Sequence, residues 1–212
     1  MKIKELFLSE APLPDDWEKD IYDPSVPFKT RIKYARERAS RIGAGSSRIV
    51  FEIPYQGQLT ALKIAKNRKG IAQNEEEAST LNDAEILSRE HVVARLIDGD
   101  YDNFTWIQTE KVDKLKSEQH FESLVGFSIF HVISYIGKIA SLDGAIKFDM
   151  DPDLEEEMSE NEFVQDLMGL LGDTGAHVGD LYRVTNWGVK DNLPVIVDFG
   201  ASSEVLRLHY GM

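Results

Sequence analysis

The stretch Pro194-Val195-Ile196-Val197-Asp198-Phe199-Gly200 decides how this chain is interpreted. A short apolar strand ends here in an acid, an aromatic residue and a glycine. Any strand that ends in a polar turn can produce this triplet. It becomes informative because Asp180 and Asn186 lie a short way before it, and a glycine-rich turn and a strand lysine lie far upstream. A site that binds phosphate and a metal ion needs groups of these kinds.

The composition limits the class of protein. The chain has 212 residues, enough for one large domain or two small lobes, and 42% are hydrophobic. The net charge of −13 argues against nucleic acid or an anionic membrane as a partner, because both bind basic surfaces. The absence of cysteine excludes disulfides, thiolate zinc sites and a thiol nucleophile, and fits a cytoplasmic location. No apolar run approaches the ~18 residues that suggest a membrane span.

A glycine-rich turn lies between two apolar, strand-like segments in residues 41–53. The turn contains Gly43, Gly45, Ser46 and Ser47. Glycine lets backbone N–H groups approach phosphate oxygens closely, and the serines add donors. A simple hairpin can carry the same turn. No helix follows it, which excludes the dinucleotide-binding fingerprint of strand, turn and helix. Strand, turn and strand instead suit a flap that lies over a nucleotide.

Lys63 lies between apolar neighbours in a predicted strand over residues 59–65. A buried lysine is costly unless it finds a negative partner, and phosphate and a carboxylate are the candidates. The alternative is an edge-strand lysine that faces water. Residues 73–87 form a predicted helix with acids at positions 75–77, one of which can pair with Lys63.

The rest of the chain divides in character. Residues 28–112 predict a small, mostly antiparallel sheet with few helices, and residues 113–212 predict a helical part. The other predicted elements are a basic helix over 28–40, strands over 91–97 and 104–109, a long helical pattern over 118–142, a solvated acidic loop over 143–157, and a helix over 161–171 closed by Gly172.

Taken together, the motifs resemble those of the protein-kinase-like fold, which includes protein kinases, small-molecule phosphotransferases and inactive relatives. The matching pieces follow the family's order over about residues 41–200: the glycine turn, the Lys63 strand, an acidic helix, a hinge-like Glu110-Lys111-Val112, Asp180 with Asn186, and Asp198-Phe199-Gly200. The resemblance implies an α+β, two-lobed fold with an antiparallel-sheet N-lobe and a truncated helical C-lobe.

The resemblance also implies ATP and Mg²⁺ as cofactors, with a role for each matched residue. Gly43, Gly45, Ser46 and Ser47 would cover the phosphates, Lys63 would hold them, and Glu77 would orient Lys63. The backbone of Glu110 and Val112 would bind adenine. Asn186 and Asp198 would bind Mg²⁺, and Asp180 would orient the acceptor hydroxyl. Phosphoryl transfer depends on this kind of positioning and charge neutralisation.

Several features depart from the family pattern. Arg48 replaces the third glycine of the turn, and the interval from Asp180 to Asn186 is longer by a single position than the family usually has. The sequence ends at Met212, soon after Gly200, which leaves little of the usual platform for a peptide substrate. An active minimal phosphotransferase with an unknown acceptor and an inactive pseudokinase that acts as an interaction module are therefore both open.

The N-terminal residues 1–27 are interpreted as a leader and linker. Leu8-Ser9-Glu10 before Ala11 resembles the cut site of the head-maturation proteases of large tailed bacteriophages. The turn Gly45-Ser46-Ser47-Arg48 and the helix start at Gln73-Asn74 are also similar to those of kinase-like phage proteins. These resemblances imply a phage protein in the host cytoplasm or packaged in the virion. The alternative for the leader is a small docking helix.

Overall fold

The computed structural model describes Leu13 and residues 17–199, and it separates into two units. The first unit runs to Ala78 and resumes over Leu96–Lys111. The second comprises Ser79–Arg95 and the chain from Val112 onward. The predicted leader (residues 1–11) and Gly200 lie outside the described residues.

The first unit is built on a five-stranded sheet. Its strands are β1 Ser40–Ala44, β2 Arg48–Tyr55, β3 Gln58–Ala65, β4 Leu96–Gly99 and β5 Trp106–Glu110. They lie in the order β1-β2-β3-β5-β4, and every neighbouring pair is antiparallel. A two-residue turn, Gln56-Gly57, joins β2 to β3, and both residues have positive φ, as this tight turn requires.

Helix α1 (Phe28–Arg38) and the segment before it cover part of this sheet with apolar side chains. The Tyr34 hydroxyl of α1 accepts a hydrogen bond from the Glu18 backbone N–H, at 2.7 Å. The predicted linker therefore forms part of the hydrophobic core, because it contributes the buried aromatic residues Trp17 and Tyr22. The cluster consists of Leu13, Trp17, Tyr22, Tyr34 and Ala35 against Ile49, Phe51, Ile53, Leu62, Ile64 and Trp106.

The second unit is mainly helical and carries a three-stranded antiparallel sheet. Helix α2 (Arg68–Ile86) begins in the first unit and ends in the second. The other elements are β6 Asp113–Lys114, α3 Glu118–Val125, α4 Ile129–Ile139, α5 Pro152–Glu160, α6 Glu162–Thr174, β7 Trp187–Lys190 and β8 Leu193–Ile196. The strands lie in the order β6-β7-β8. Trp187, at the start of β7, packs edge-on against Phe121 of α3, and both side chains are buried.

The long helical pattern over 118–142 is two helices rather than one. Gly126 ends α3 in the left-handed region at φ 92°, and the Ser128 side chain caps the start of α4 by accepting the His131 N–H. A residue with left-handed φ and a new N-cap cannot be accommodated inside a continuous helix. The glycine and serine are visible in the sequence, but the apolar periodicity continues across them.

Three other local predictions were wrong. The acidic loop contains α5, which Asp151 caps and Pro152 begins, a combination that favours a helix start. Gly172 lies inside α6, which ends instead at Gly175 with φ 62°. The predicted strand over 91–97 is a 3₁₀ helix at Glu90–Val92 followed by β4.

The broader prediction, an α+β chain with an antiparallel-sheet unit and a helical unit, is confirmed. Among the described residues, no helix is both long and apolar enough to cross a membrane.

Candidate functional site

Lys63 lies on the central strand of the sheet and is buried. In register it faces Val50 of β2 on one side and Ile107 of β5 on the other, so it is not an edge-strand lysine. Its side chain is 6% exposed. The Nζ atom forms an ion pair with Oε1 of Glu77 on α2. The exposed alternative is therefore wrong, and the lysine and the helix acid are in contact.

Arg48 is a second cation on the same carboxylate. Its Nη1 lies 2.6 Å from Oε2 of Glu77 and 3.4 Å from Oδ1 of Asn74. The side chains of Arg48, Lys63 and Glu77 are each at most 6% exposed. Solvent therefore screens these charges little, which makes the geometry of the group matter more than that of a surface pair.

In the sequence, Arg48 stands out only as the residue that replaces the third glycine of the family turn. The register of the strands could have indicated its contact with Glu77. The two-residue turn after Tyr55 fixes the register of β2 and β3, with Val50 opposite Lys63. Arg48 lies two positions from Val50, so it projects from the same face of the sheet as Lys63. A shared face brings both cations within reach of one helix acid.

The glycine-rich turn joins β1 and β2, and its carbonyl groups face the loop before α2. The carbonyl of Gly45 accepts from Lys66 Nζ at 2.7 Å, that of Ser46 from the Asn67 side chain at 3.4 Å, and that of Ser47 from the Lys66 N–H at 2.7 Å. The backbone N–H groups of Ser46 and Ser47 donate to no described residue. The turn thus keeps two backbone donors that the described part of the fold does not use.

The side chains of the turn differ in what they can offer a ligand. The Ser47 hydroxyl is buried and donates to Oε1 of Gln73 on α2, whereas Ser46 is exposed. Neither Gly43 nor Gly45 has a positive φ, and a Cβ on Gly45 would meet nothing within 4 Å. Packing within the described residues therefore does not explain why position 45 is glycine.

The hinge-like segment marks the end of the sheet. Glu110 is the last residue of β5 and faces Thr60 in register. The chain passes from the first unit to the second between Lys111 and Val112. Lys111 forms an ion pair with Glu52, with 2.5 Å between Nζ and Oε2.

In the second unit, Asp180 and Asn186 are joined by a hydrogen bond. Asp180 lies in a 3₁₀ helix, Gly179–Tyr182, and Asn186 ends the next one. The Asn186 Nδ2 donates to the Asp180 carbonyl at 2.9 Å. The buried Trp187 steadies the same loop, because its Nε1 donates to the Leu181 carbonyl at 2.8 Å.

Asp198 closely follows β8, and the backbone brings that strand end to Asn186. The Val197 N–H donates to the Asn186 carbonyl at 2.9 Å. The strand is also tied to the segment before β4, because the Ala94 N–H donates to the Ile196 carbonyl at 2.9 Å. Phe199, the residue after Asp198, is buried and anchors the chain at this point. Asp180, Asn186 and Asp198 are thus held in one connected loop and hairpin.

The donor set fits Mg²⁺ that is shared with a phosphate ligand. Among the described residues there is no group of three or more His, Cys, Asp or Glu side chains that could hold a metal alone. Magnesium often takes one or two protein oxygens and completes its octahedron with phosphate and water. The Asn186 amide nitrogen donates to Asp180, so its oxygen is the atom left for a cation. Among the described residues, only the Thr185 hydroxyl donates to that oxygen, at 3.4 Å.

A cavity lies in the second unit, away from Asp180, Asn186 and Asp198. It has a volume of about 310 Å³ and is lined by the end of α3, the start of α6, the start of β8 and His91. The His91 Nε2 lies 2.9 Å from Oδ2 of Asp166 at its edge. None of the predicted site residues lines it.

Comparison with known proteins gives no family assignment. No family model matches the sequence, and no curated protein is significantly similar to it. Among solved structures, the chain is similar to the kinase domain of Mycobacterium tuberculosis PknI, with 16% identity and a TM-score of 0.36, over 77% of this chain and 58% of that one. It therefore spans less than two thirds of that kinase domain.

A second similar structure is a ternary complex of APH(2″)-IIa with streptomycin and ATP. The identity is 11% and the TM-score 0.39, over 81% of this chain and 69% of that one. At these TM-scores the overlap is too loose to transfer any property to this chain. The element order that the sequence motifs predicted is present in the described residues: a five-stranded antiparallel sheet with a helix after its third strand, then helices, and then a loop and hairpin that end in Asp198-Phe199.

Proposed function

We propose that this protein is a kinase-like phosphotransferase that uses ATP and Mg²⁺. The observation that carries the proposal is the buried ion pair between Lys63 on the central strand and Glu77 on α2. A buried cation of this kind costs folding free energy, and a well-packed apolar pair of similar volume often serves stability as well or better. A lysine held rigidly by a carboxylate is, in contrast, well suited to bind a phosphate group.

On this proposal residues of the first unit, together with Val112 directly after it, bind the nucleotide. Lys63 holds the α- and β-phosphates, and Glu77 keeps its ammonium group in place. The unused N–H groups of Ser46 and Ser47 donate to phosphate oxygens, and a glycine at position 45 leaves room for the approach. The backbone of Glu110 and Val112 hydrogen-bonds adenine.

The second unit supplies the metal ligands and the acid that faces the acceptor. Asp198 and Asn186 would hold Mg²⁺, which would neutralise charge on the phosphates when bound. Asp180 would orient the acceptor hydroxyl, and the Asn186–Asp180 hydrogen bond links these two roles.

Transfer of label from ATP tests the proposal. The purified chain is incubated with Mg²⁺ and ATP labelled at either the γ- or the α-phosphate, and label in the protein, in added acceptors and in free phosphate is measured. We expect γ-label to be transferred or released, and Lys63→Ala and Asp198→Ala to abolish this. Lys114→Ala and Asp113→Ala are matched controls, because both residues are exposed on β6. Equal turnover in all five proteins would refute the proposal, and transfer of α-label would indicate AMP transfer instead.

A second function, nucleotide binding without transfer, is favoured by one observation. Oδ1 of Asp180 forms an ion pair with Nη1 of Arg183 at 3.2 Å. Asp180 is the residue proposed to orient the acceptor hydroxyl, so this pair competes with the acceptor for its carboxylate. The pair is partly exposed, so it is weak and can open. If Arg183→Ala raises turnover, the pair restrains an active enzyme. If Mg²⁺-ATP binds but neither Arg183→Ala nor the unchanged chain turns it over, the binding module is the better description.

The remaining proposals concern the source and the leader. We infer a phage protein from the resemblances of the turn and of residues 8–11. Mass spectrometry of the protein from mature virions tests the leader: cleavage after Glu10 is expected, and an intact Met1 would contradict it.

A further inference from the structure

The start of β2 is tied to one face of α2 by consecutive side chains. Ser47 donates to Gln73, and Arg48 contacts Asn74 and Glu77. On α2 these three partners lie at positions i, i+1 and i+4, which places them along one side of the helix. All five side chains are buried. The contacts therefore form one buried polar seam between the glycine-rich turn and the helix.

The same helix face is also fixed to the other end of the sheet. Asn74 Nδ2 donates to the carbonyl of Phe104, just before β5, at 2.9 Å. Asn74 is fully buried and thus contacts both the β2 start and the segment before β5. Helix α2 is held to the sheet at both places, so a shift or rotation of the helix would break several buried hydrogen bonds together.

Within the seam, Arg48 and Lys63 use different oxygens of Glu77. Arg48 Nη1 contacts Oε2, and Lys63 Nζ contacts Oε1. Arginine remains charged at any physiological pH and presents its donors in a fixed plane. If α2 moved away, Glu77 would leave two buried cations behind, and the cost of stranding a buried charge is high.

We propose that Arg48 is a positioning residue that latches α2 to β2, so that the Lys63–Glu77 pair is already assembled before a nucleotide binds. The glycine-rich turn and α2 then behave as one body, and movement of α2 does not regulate the site. The statement about nucleotide rests on the proposed function, whereas the latch itself does not.

Hydrogen–deuterium exchange of the full chain tests the latch without a ligand. We compare the unchanged protein with Arg48→Met, Arg48→Lys and the control Arg41→Met, since Arg41 is exposed on β1. In Arg48→Met the amides of residues 70–80 should exchange about tenfold faster, because local opening is easier, while peptides over residues 112–199 stay unchanged. Arg48→Lys should lie between Arg48→Met and the unchanged protein, and Arg41→Met should match the latter.

Unchanged exchange of residues 70–80 in Arg48→Met would overturn the proposal. If Arg48→Met does not fold, Arg48→Lys is compared with a matched control, Arg41→Lys, instead. Equal exchange of residues 70–80 in these two variants would overturn the proposal in the same way.

A nucleotide measurement separates the latch from the proposed function. In the unchanged protein, saturating Mg²⁺-ATP should alter exchange of residues 70–80 by less than about twofold, and a tenfold gain in protection would show that α2 is not preassembled. In Arg48→Met the KM for ATP should rise about tenfold with kcat largely kept, and Arg48→Lys should recover part of the loss, because bound ATP can itself draw the pair together. If no ATP binds, the proposed function fails, and the ligand-free comparison alone still decides the role of Arg48.

Discussion

Replacing Glu77 by glutamine removes the carboxylate that Arg48 and Lys63 both contact while it keeps the shape of the side chain. The three side chains are 3–6% exposed, so water cannot take over the lost interaction. Removal of one partner from a buried ion pair costs about 3–5 kcal/mol. The amide oxygen of glutamine can still accept one hydrogen bond, so we expect the lower end of that range, about 3 kcal/mol.

The effect is large enough to measure by thermal or urea unfolding. For a chain of this size, 1 kcal/mol corresponds to about 2–4 °C in Tm, so Glu77→Gln should lower Tm by about 6–12 °C. Glu75→Gln is the matched control, because Glu75 lies on the same helix and is exposed. Its stability should stay within about 0.5 kcal/mol of the unchanged protein. A loss of less than about 1 kcal/mol in Glu77→Gln would refute the buried bridge as an energetic feature.

Three further predictions concern other parts of the chain. Burial raises the pKa of Tyr22 well above its ordinary value near 10, so the stability from its neutral hydroxyl is full below about pH 10 and is lost as the pH rises further. Tyr22→Phe should reduce alkaline unfolding between about pH 10 and 12. At pH 7 its free energy of unfolding should rise by up to about 1 kcal/mol, because the Tyr22 hydroxyl has no hydrogen-bond partner among the described residues. A loss of more than about 1 kcal/mol, measured by urea unfolding, would contradict this. Asn192 has φ 63° in the turn between β7 and β8, a conformation that glycine adopts easily and valine does not. Asn192→Gly should therefore be neutral or stabilising by a few tenths of a kcal/mol, and Asn192→Val should be destabilising by about 1–2 kcal/mol. Equal Tm values for the two variants would contradict this. Trp187→Phe should cost about 1–3 kcal/mol because the Leu181 carbonyl loses its donor, and urea unfolding equal to that of the unchanged protein would exclude this role.

Much of the fold could be predicted because its signals are local. The hairpin of β2 and β3 follows from a tight turn between apolar strands, and β7 and β8 from a polar pair, Asp191-Asn192, with positive φ at both. Lys63 and Asp198 were identified by their places in strands, which depend on neighbouring residues alone.

What could not be predicted depends on partners that are distant in sequence. Arg48 lies 29 residues from Glu77, and only the register of the sheet reveals that it shares a face with Lys63. The burial of Trp17 and Tyr22 depends in the same way on the sheet beneath them, because their own segment is polar and contains prolines. The break at Gly126 was missed for the opposite reason, since a strong apolar pattern outweighed a local capping signal.

Whether the chain binds a nucleotide through these residues can be decided by titration calorimetry with ATP, with and without Mg²⁺. We expect saturable binding to the unchanged chain that strengthens with Mg²⁺, binding to Asp198→Ala that no longer responds to Mg²⁺, and weaker binding to Lys63→Ala under both conditions. Absence of ATP binding at concentrations up to about 1 mM in the presence of Mg²⁺ would contradict the proposed function, because enzymes that use a nucleotide bind it within that range.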